Sequence, residues 1–366
     1  MLDLGLFLIR MTSETIHSTT IYNKLCRATI ITFILVSLAS SAINFSKVEK
    51  ELVMKNLEAL ISEIHVLLMY IFFISNQKLI ALILSDKAAF RSTNDSPLMK
   101  ELIKIKVYVN KFLFALAASG YGTIIMLFLA LLADRDKFLI LESWSPDSCI
   151  LGSIYSLMQL VMLSISAQLT LGMDCLLVAL CCHLIIQVRL LKYDFGIVYV
   201  PMDADIITER RVREKLIKCV EYHIFIMSFF KNLRKLCSSL FLCQYTIALV
   251  SICTELYAFS NTKEEFDITE LFKSMFYTST ILLEFGMYCF CSQYVVDEIR
   301  SLSDAIYASR WYECKTNFQK DLMFIIMRTQ SQTEFTAGGL VAMDIQAFTS
   351  VIKRAFSFYA LMKSLF

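Results

Sequence analysis

The chain has 366 residues, 57% of them hydrophobic and 19% charged, with a formal net charge of +2 and only 3 Pro and 9 Gly. A soluble domain carries about 25% charged and 45–50% apolar residues, so this balance excludes a disordered segment, a nucleic-acid-binding domain and a secreted disulfide scaffold. A mean hydropathy of +0.60 makes lipid the solvent for much of the surface.

The chain opens with MLDLGLFLIR, which has an early Asp3, no basic start and no small-residue cleavage site. No signal peptide is therefore expected from this stretch; it reads as a short amphipathic helix lying on the membrane. Apolar stretches of roughly 20 residues, enough to cross about 30 Å of hydrocarbon, follow at 28–44, 57–84, 112–133, 151–188, 236–259, 271–295 and 345–365. Seven spans are therefore predicted. The third ends in Asp134-Arg135-Asp136, a solvated span end. The fourth carries Asp174, His183 and Gln187, the last two spaced i, i+4 as a hydrogen-bonded packing pair. Stretch 189–235 combines charge with apolar periodicity through Leu216, Val220, Ile224, Met227 and Phe230, so it reads as helix continuing beyond the membrane. Glu284 lies in the sixth span as a polar packing contact, and the seventh is the least apolar because of Lys353 and Arg354.

The basic residues are unevenly placed. Of 35 Lys and Arg, 24 fall in the N-terminal segment and the second, fourth and sixth connections, against 8 on the opposite side. The positive-inside rule then puts the N-terminus in the cytoplasm and the C-terminus outside. Glu264, Glu265, Asp267 and Glu270 cluster in the fifth connection, on the outer side.

No GxGxxG, P-loop, HExxH or GxSxG is present, and His17, His65, His183 and His223 are too scattered for a metal site. The 12 Cys include Cys175, Cys181, Cys182, Cys289 and Cys291 within apolar runs and form no CxxC pair, so they read as small buried hydrophobes. Neither an enzyme nor a cofactor is indicated.

The C-terminal third is more specific. It runs Asp304-Ala305-Ile306-Tyr307, Trp311-Tyr312, an amphipathic helix at 318–328, Thr336-Ala337-Gly338-Gly339 and a last span closing with Ala355-Phe356-Ser357-Phe358-Tyr359 and Leu361. This order resembles the insect odorant receptor family, as do Asp174, His183 and Gln187 around the fourth span and Cys219 with His223 before the fifth. A gustatory receptor's closing Gln-Phe is absent, and 189–235 has no room for the shared co-receptor's long insertion. The chain resembles a variable, odour-specific subunit.

The resemblance implies an all-α, seven-transmembrane protein whose helices extend into a cytoplasmic anchor, at about 189–235 and 297–344. It implies an odorant-binding subunit of a ligand-gated, non-selective cation channel, assembled with the co-receptor as a tetramer in the plasma membrane. A small volatile would bind in the outer half of spans two to six. The implied walls are Ile64, Leu68, Met69 and Phe72 on the second span, Ser119, Gly122 and Met126 on the third, Tyr155, Met158 and Met162 on the fourth, and Phe276, Tyr277 and Thr280 on the sixth. Met and aromatic walls with a few hydroxyls suit small, mostly apolar ligands. The pore would be lined by the last helix, with Phe348, Lys353, Ser357, Leu361 and Ser364 near one face and Leu361 as a dewetting gate. Trp311 and Tyr312 would anchor subunits to one another.

Two other functions compete. A metabotropic seven-span receptor needs an outside N-terminus, whereas here the sequon Asn44-Phe45-Ser46 is expected outside and Asn94-Asp95-Ser96 inside. A small-solute transporter has only Glu284 as a coupling carboxylate.

Overall fold

The computed structural model describes residues 31–32, 34–43, 53–91, 99–133, 149–202, 204–261, 268–330 and 333–365. The N-terminal amphipathic segment, Asp134-Arg135-Asp136, Glu264, Glu265, Asp267 and both sequons lie outside the described residues.

Helices dominate because long apolar runs pass almost without Gly or Pro. They are α1 (Ile34–Ile43), α2 (Val53–Ala88), α3 (Met99–Ala133), α4 (Cys149–Ile197), α5 (Ile206–Asn261) and α6 (Ile268–Tyr307). A 3₁₀ turn (Trp311–Glu313), α7 (Thr316–Thr329), strands β1 (Thr336–Ala337) and β2 (Val341–Ala342), and α8 (Ile345–Leu365) complete the chain. The 56 residues of α5 extend about 84 Å at 1.5 Å per residue, against about 30 Å of hydrocarbon. More than half of that helix must therefore lie outside a bilayer, and the charged residues between Arg210 and Lys235 identify which end. Among the described residues, Leu60–Ala88, Ile154–Ile197 and Ile206–Tyr257 are long and apolar enough to cross a membrane.

Two helices organise the packing. Helix α5 touches α2, α4, α6, α8 and β1. From Leu169 to Leu191, α4 is buried on nearly every face, as an apolar helix inside a bundle should be. An aromatic column runs through the core: Phe230 and Phe241 flank Phe335 at 5.1 and 5.9 Å, and Phe241 meets Tyr288 at 5.5 Å.

The charged ends of the helices are tied by ion pairs between elements. Glu298 of α6 receives Arg189 at 3.2 Å and Lys192 at 2.5 Å. Lys315 joins Glu209 at 2.7 Å and the Ala204 carbonyl at 3.1 Å, beside a bridge between Pro201 and Cys314. The Arg91 guanidinium pairs with Asp194 and lies 3.9 Å over the Tyr222 ring.

One sequence expectation changes here. Gln187 does not pair with His183. Its amide oxygen accepts from the Tyr222 hydroxyl at 2.6 Å and its nitrogen donates to the Arg91 carbonyl at 3.2 Å. Spacing i, i+4 places two residues on one face, but the helix packed against that face supplies the partner. The all-α expectation holds except for a hairpin, in which Thr336 pairs with Ala342 and Ala337 with Val341.

His223 sets an acid sensitivity. It is buried on α5 and its Nε2 has no partner. Burial, and secondarily the nearby Arg328 charge, hold its pKa below the ordinary 6.5. The unfolded chain then takes the proton first, so this contribution to stability is complete above about pH 6.5 and is lost as the pH falls below it. The melting temperature should fall between pH 7.5 and 5.5, and His223→Asn should flatten that fall; an unchanged slope refutes the assignment. Glu209 acts elsewhere. Its pKa is lowered chiefly by the hydrogen bond from Lys315, so its contribution disappears only below the ordinary carboxylate value of 4.5.

Candidate functional site

The expected pocket walls lie on α2, α3, α4 and α6. On α2, Met69 and Phe72 are buried, Ile64 is half-buried and Leu68 is 38% exposed. Tyr155 and Met158 are half-buried on α4, as are Tyr277 and Thr280 on α6, where Phe276 is 39% exposed. The helices carry Ser119, Met126 and Met162 at the expected positions, but those side chains lie outside the described set. Gly122 and Phe276 come together: a Cβ on Gly122 would stand 3.7 Å from the end of the Phe276 ring. This is ordinary van der Waals distance, so α3 and α6 pack against each other at this point. The Thr280 hydroxyl donates to the Phe276 carbonyl at 2.9 Å, leaving its oxygen able to accept from a ligand.

Beside these walls lies a polar network that pattern reading did not assemble. Gln244 on α5 donates to Glu284 on α6 at 2.7 Å, meets His65 on α2 at 3.2 Å and lies 3.9 Å from the Met69 sulfur. On the same face of α6 as Glu284, Tyr288 donates to the buried Asp174 carboxylate of α4. Four helices are therefore joined through polar atoms inside the apolar zone. Such groups are costly in lipid and persist where they meet one another. The available signal was the presence of Gln244, Glu284, Asp174 and His65 inside apolar runs, but their mutual approach depends on helix packing. Glu284, expected as a packing contact, has that role here.

The last helix begins with a local device. Gly338 and Gly339 have φ of +59° and +75°, a region closed to most L-residues. They are central in the turn closed by the Leu340 N–H to the Ala337 carbonyl at 2.9 Å. The Gly338 N–H donates to the Ser238 carbonyl of α5 at 2.9 Å, which pins the hairpin to the bundle. Asp344 then caps α8 by accepting from the Ala347 N–H at 2.7 Å.

Helix α8 buries Ala347, Val351 and Ala355 against the protein and exposes Lys353, Ser357 and Leu361. At about 100° per residue, Lys353, Ser357, Leu361 and Ser364 fall within roughly 80° of one another; the Ser364 side chain is outside the described set. Phe348 leaves this group. It packs on α6, 3.3 Å from where a Gly286 Cβ would sit and 6.2 Å from both the Phe285 and Phe290 ring centres. Arg354 donates to the Tyr245 hydroxyl at 2.7 Å, so this charge is held within the subunit. Tyr245 directly follows Gln244, and one turn of α5 faces both the polar network and the last helix.

At the far end, Trp311 is half-buried against the subunit's own core and touches Tyr307 at 5.9 Å and Tyr312 at 6.1 Å between ring centres. Tyr312 is exposed, as are Met323, Phe324 and Met327 on α7, while Phe318 and Leu322 face inward. Among the described residues, no group of three or more His, Cys, Asp or Glu is placed to hold a metal ion.

Residues 50–356 match the family model for the 7tm odorant receptor. Odorant receptor 42a of Drosophila melanogaster is 24% identical over 155 residues, 42% of this chain and 37% of the relative. Odorant receptor 42b of the same species is 26% identical over 160 residues, 43% of this chain and 39% of the relative. These matches span well under half the length of either relative. The fold is similar throughout to the insect olfactory receptor OR5 from Machilis hrabei in complex with eugenol, with a TM-score of 0.83 at 13% identity, covering 100% of this chain and 97% of that one. A second structure of the insect olfactory receptor OR5 from Machilis hrabei gives 0.84 at 14% identity, with 98% of this chain and 96% of that one covered.

Proposed function

Because this chain belongs to the 7tm odorant receptor family, we propose that it is the odour-specific subunit of a ligand-gated, non-selective cation channel that assembles with the odorant receptor co-receptor. The family is one of receptors rather than enzymes, and the chain is a multi-pass membrane protein with the seven-transmembrane fold. In this reading the N-terminus is cytoplasmic, the C-terminus is outside, and the complex is a tetramer in the plasma membrane of a sensory dendrite. What supports this reading is the family match over residues 50–356, together with Met69, Phe72, Phe276 and Thr280 lying on α2 and α6, the helices that also carry His65 and Glu284 of the buried polar network.

A small volatile binds in the outer half of spans two to six. For about ten heavy atoms at 0.5–0.7 kcal/mol each, binding is worth roughly 5–7 kcal/mol, a dissociation constant in the micromolar range or weaker. Opening needs differential affinity, and a few kcal/mol in favour of the open bundle moves a mostly closed population. Residues Gln244 and Tyr245 provide a short route from pocket to pore, since the first touches Met69 and the second holds Arg354 of α8. Leu361 closes the outer end of the pore and Ser364 lies one turn beyond, while Trp311 and Tyr312 meet neighbouring subunits in the cytoplasmic anchor.

Co-expression with the co-receptor tests this reading. A panel of neutral odorants should evoke cation current only when both chains are present, and current from this chain with G-protein signalling intact but no co-receptor would contradict it. Orientation has its own check: Asn94 should carry no glycan, and glycosylation there would reverse the topology.

A further inference from the structure

Between α1, α2 and α4 lies a small cavity of about 20 Å³. That is room for about one water-sized group. Glu63 lines it and is 94% buried, being 6% exposed. Its Oε1 accepts a hydrogen bond from Ser37, and its Oε2 meets no donor in hydrogen-bond geometry, although the buried Ser41 hydroxyl stands near the carboxyl. No basic side chain among the described residues pairs with this carboxyl. Ser37, Ser62 and the amide of Gln159 complete the polar lining, and Ile34, Val66 and Leu163 form the apolar remainder.

We propose that this cavity is a second ligand site, which takes the head group of a small protonated alkylamine. A buried carboxylate without a counter-charge is costly, and loses that cost when a cation sits against it. The lining selects the ammonium form. Glu63 Oε2 and the Ser37 oxygen, whose own proton is given to Glu63, both accept, while a primary ammonium offers three donors and no acceptor. An alcohol brings no charge and an acceptor that meets the carboxylate unfavourably. The head group fills the water-sized space, and the alkyl chain follows Ile34, Val66 and Leu163. The site requires neither channel activity nor the pocket among spans two to six.

The test is the thermal midpoint of the full-length chain in detergent, titrated at pH 7.4 with n-butylamine and, separately, 1-butanol. The amine should raise the midpoint by a few degrees in a concentration-dependent way, and the alcohol should not. Glu63→Gln should lose the shift while remaining folded without ligand. Val66→Phe, which fills the cavity and keeps the carboxyl, should lose it as well and covers the case in which Glu63→Gln does not fold. No shift with the amine, an equal shift with the alcohol, or a shift retained in either variant overturns the proposal. Since binding is read on the chain alone, failure of the channel reading leaves this result interpretable.

Discussion

Gly338→Val is expected to lower the yield of folded receptor more than any other single change on the last hairpin. Gly338 sits at φ +59°, where a side chain costs about 1–2 kcal/mol and a β-branched one more. A Cβ there would also approach the Leu242 Cδ2 to 2.8 Å. Relieving that contact displaces either Leu242 or the hairpin, whose N–H bond to the Ser238 carbonyl is then weakened. Together these amount to roughly 2–4 kcal/mol, a large part of the stability of an ordinary domain.

Gly339 separates the two causes. Its φ is +75° but nothing lies within 4 Å of a Cβ placed on it, so Gly339→Ala carries the backbone strain without the clash. Melting temperatures of the solubilised variants should therefore rank wild type first, then Gly339→Ala, then Gly338→Ala, then Gly338→Val. Equal losses for the two alanine variants would mean that contact with α5 is unimportant.

Leu361→Ala is the second large effect, and it concerns function instead of folding. Leu361 is 52% exposed on the single chain, on the same helix that buries Ala347, Val351 and Ala355 against the subunit. In the proposed tetramer this exposed leucine meets its counterparts around the pore. Removing about three methyl or methylene groups from that contact forfeits on the order of 1–2 kcal/mol of closed-state burial, which multiplies the open-to-closed ratio by roughly 5–30. Basal current should rise several-fold at unchanged surface expression. If basal and odour-evoked currents both match wild type, Leu361 is not the gate.

Much of this architecture was legible because its signals are local. Runs such as 236–259 are apolar, unbroken and of membrane length, and the charge of 189–235 joins helical periodicity, so a helix passing from lipid to water was expected; α5 does so without interruption. What was not legible depends on which helix stands opposite. Gln187 pairs with Tyr222, 35 residues away in the chain, instead of with His183 one turn away. Phe348 belongs to the α6 contact because Gly286 leaves a place for its ring, and no spacing within the last span contains that fact. The Thr336-Ala337-Gly338-Gly339 element could be noticed as a pattern, whereas its physical reason, two positive φ angles and an approach to Leu242, exists only once the hairpin lies on α5. The same holds for Gln244, which is one polar residue in an apolar run until His65, Met69 and Glu284 surround it.

The central claim is that odour binding and ion conduction reside in one membrane complex. The direct measurement is conductance across a planar bilayer containing only this chain and its co-receptor, purified together, with no G protein and no nucleotide present. Adding an odorant active in cells should produce discrete cation-channel openings, with more frequent openings before odorant in the Leu361→Ala complex. A silent bilayer, despite intact complex and a ligand that evokes current in cells, would contradict the account.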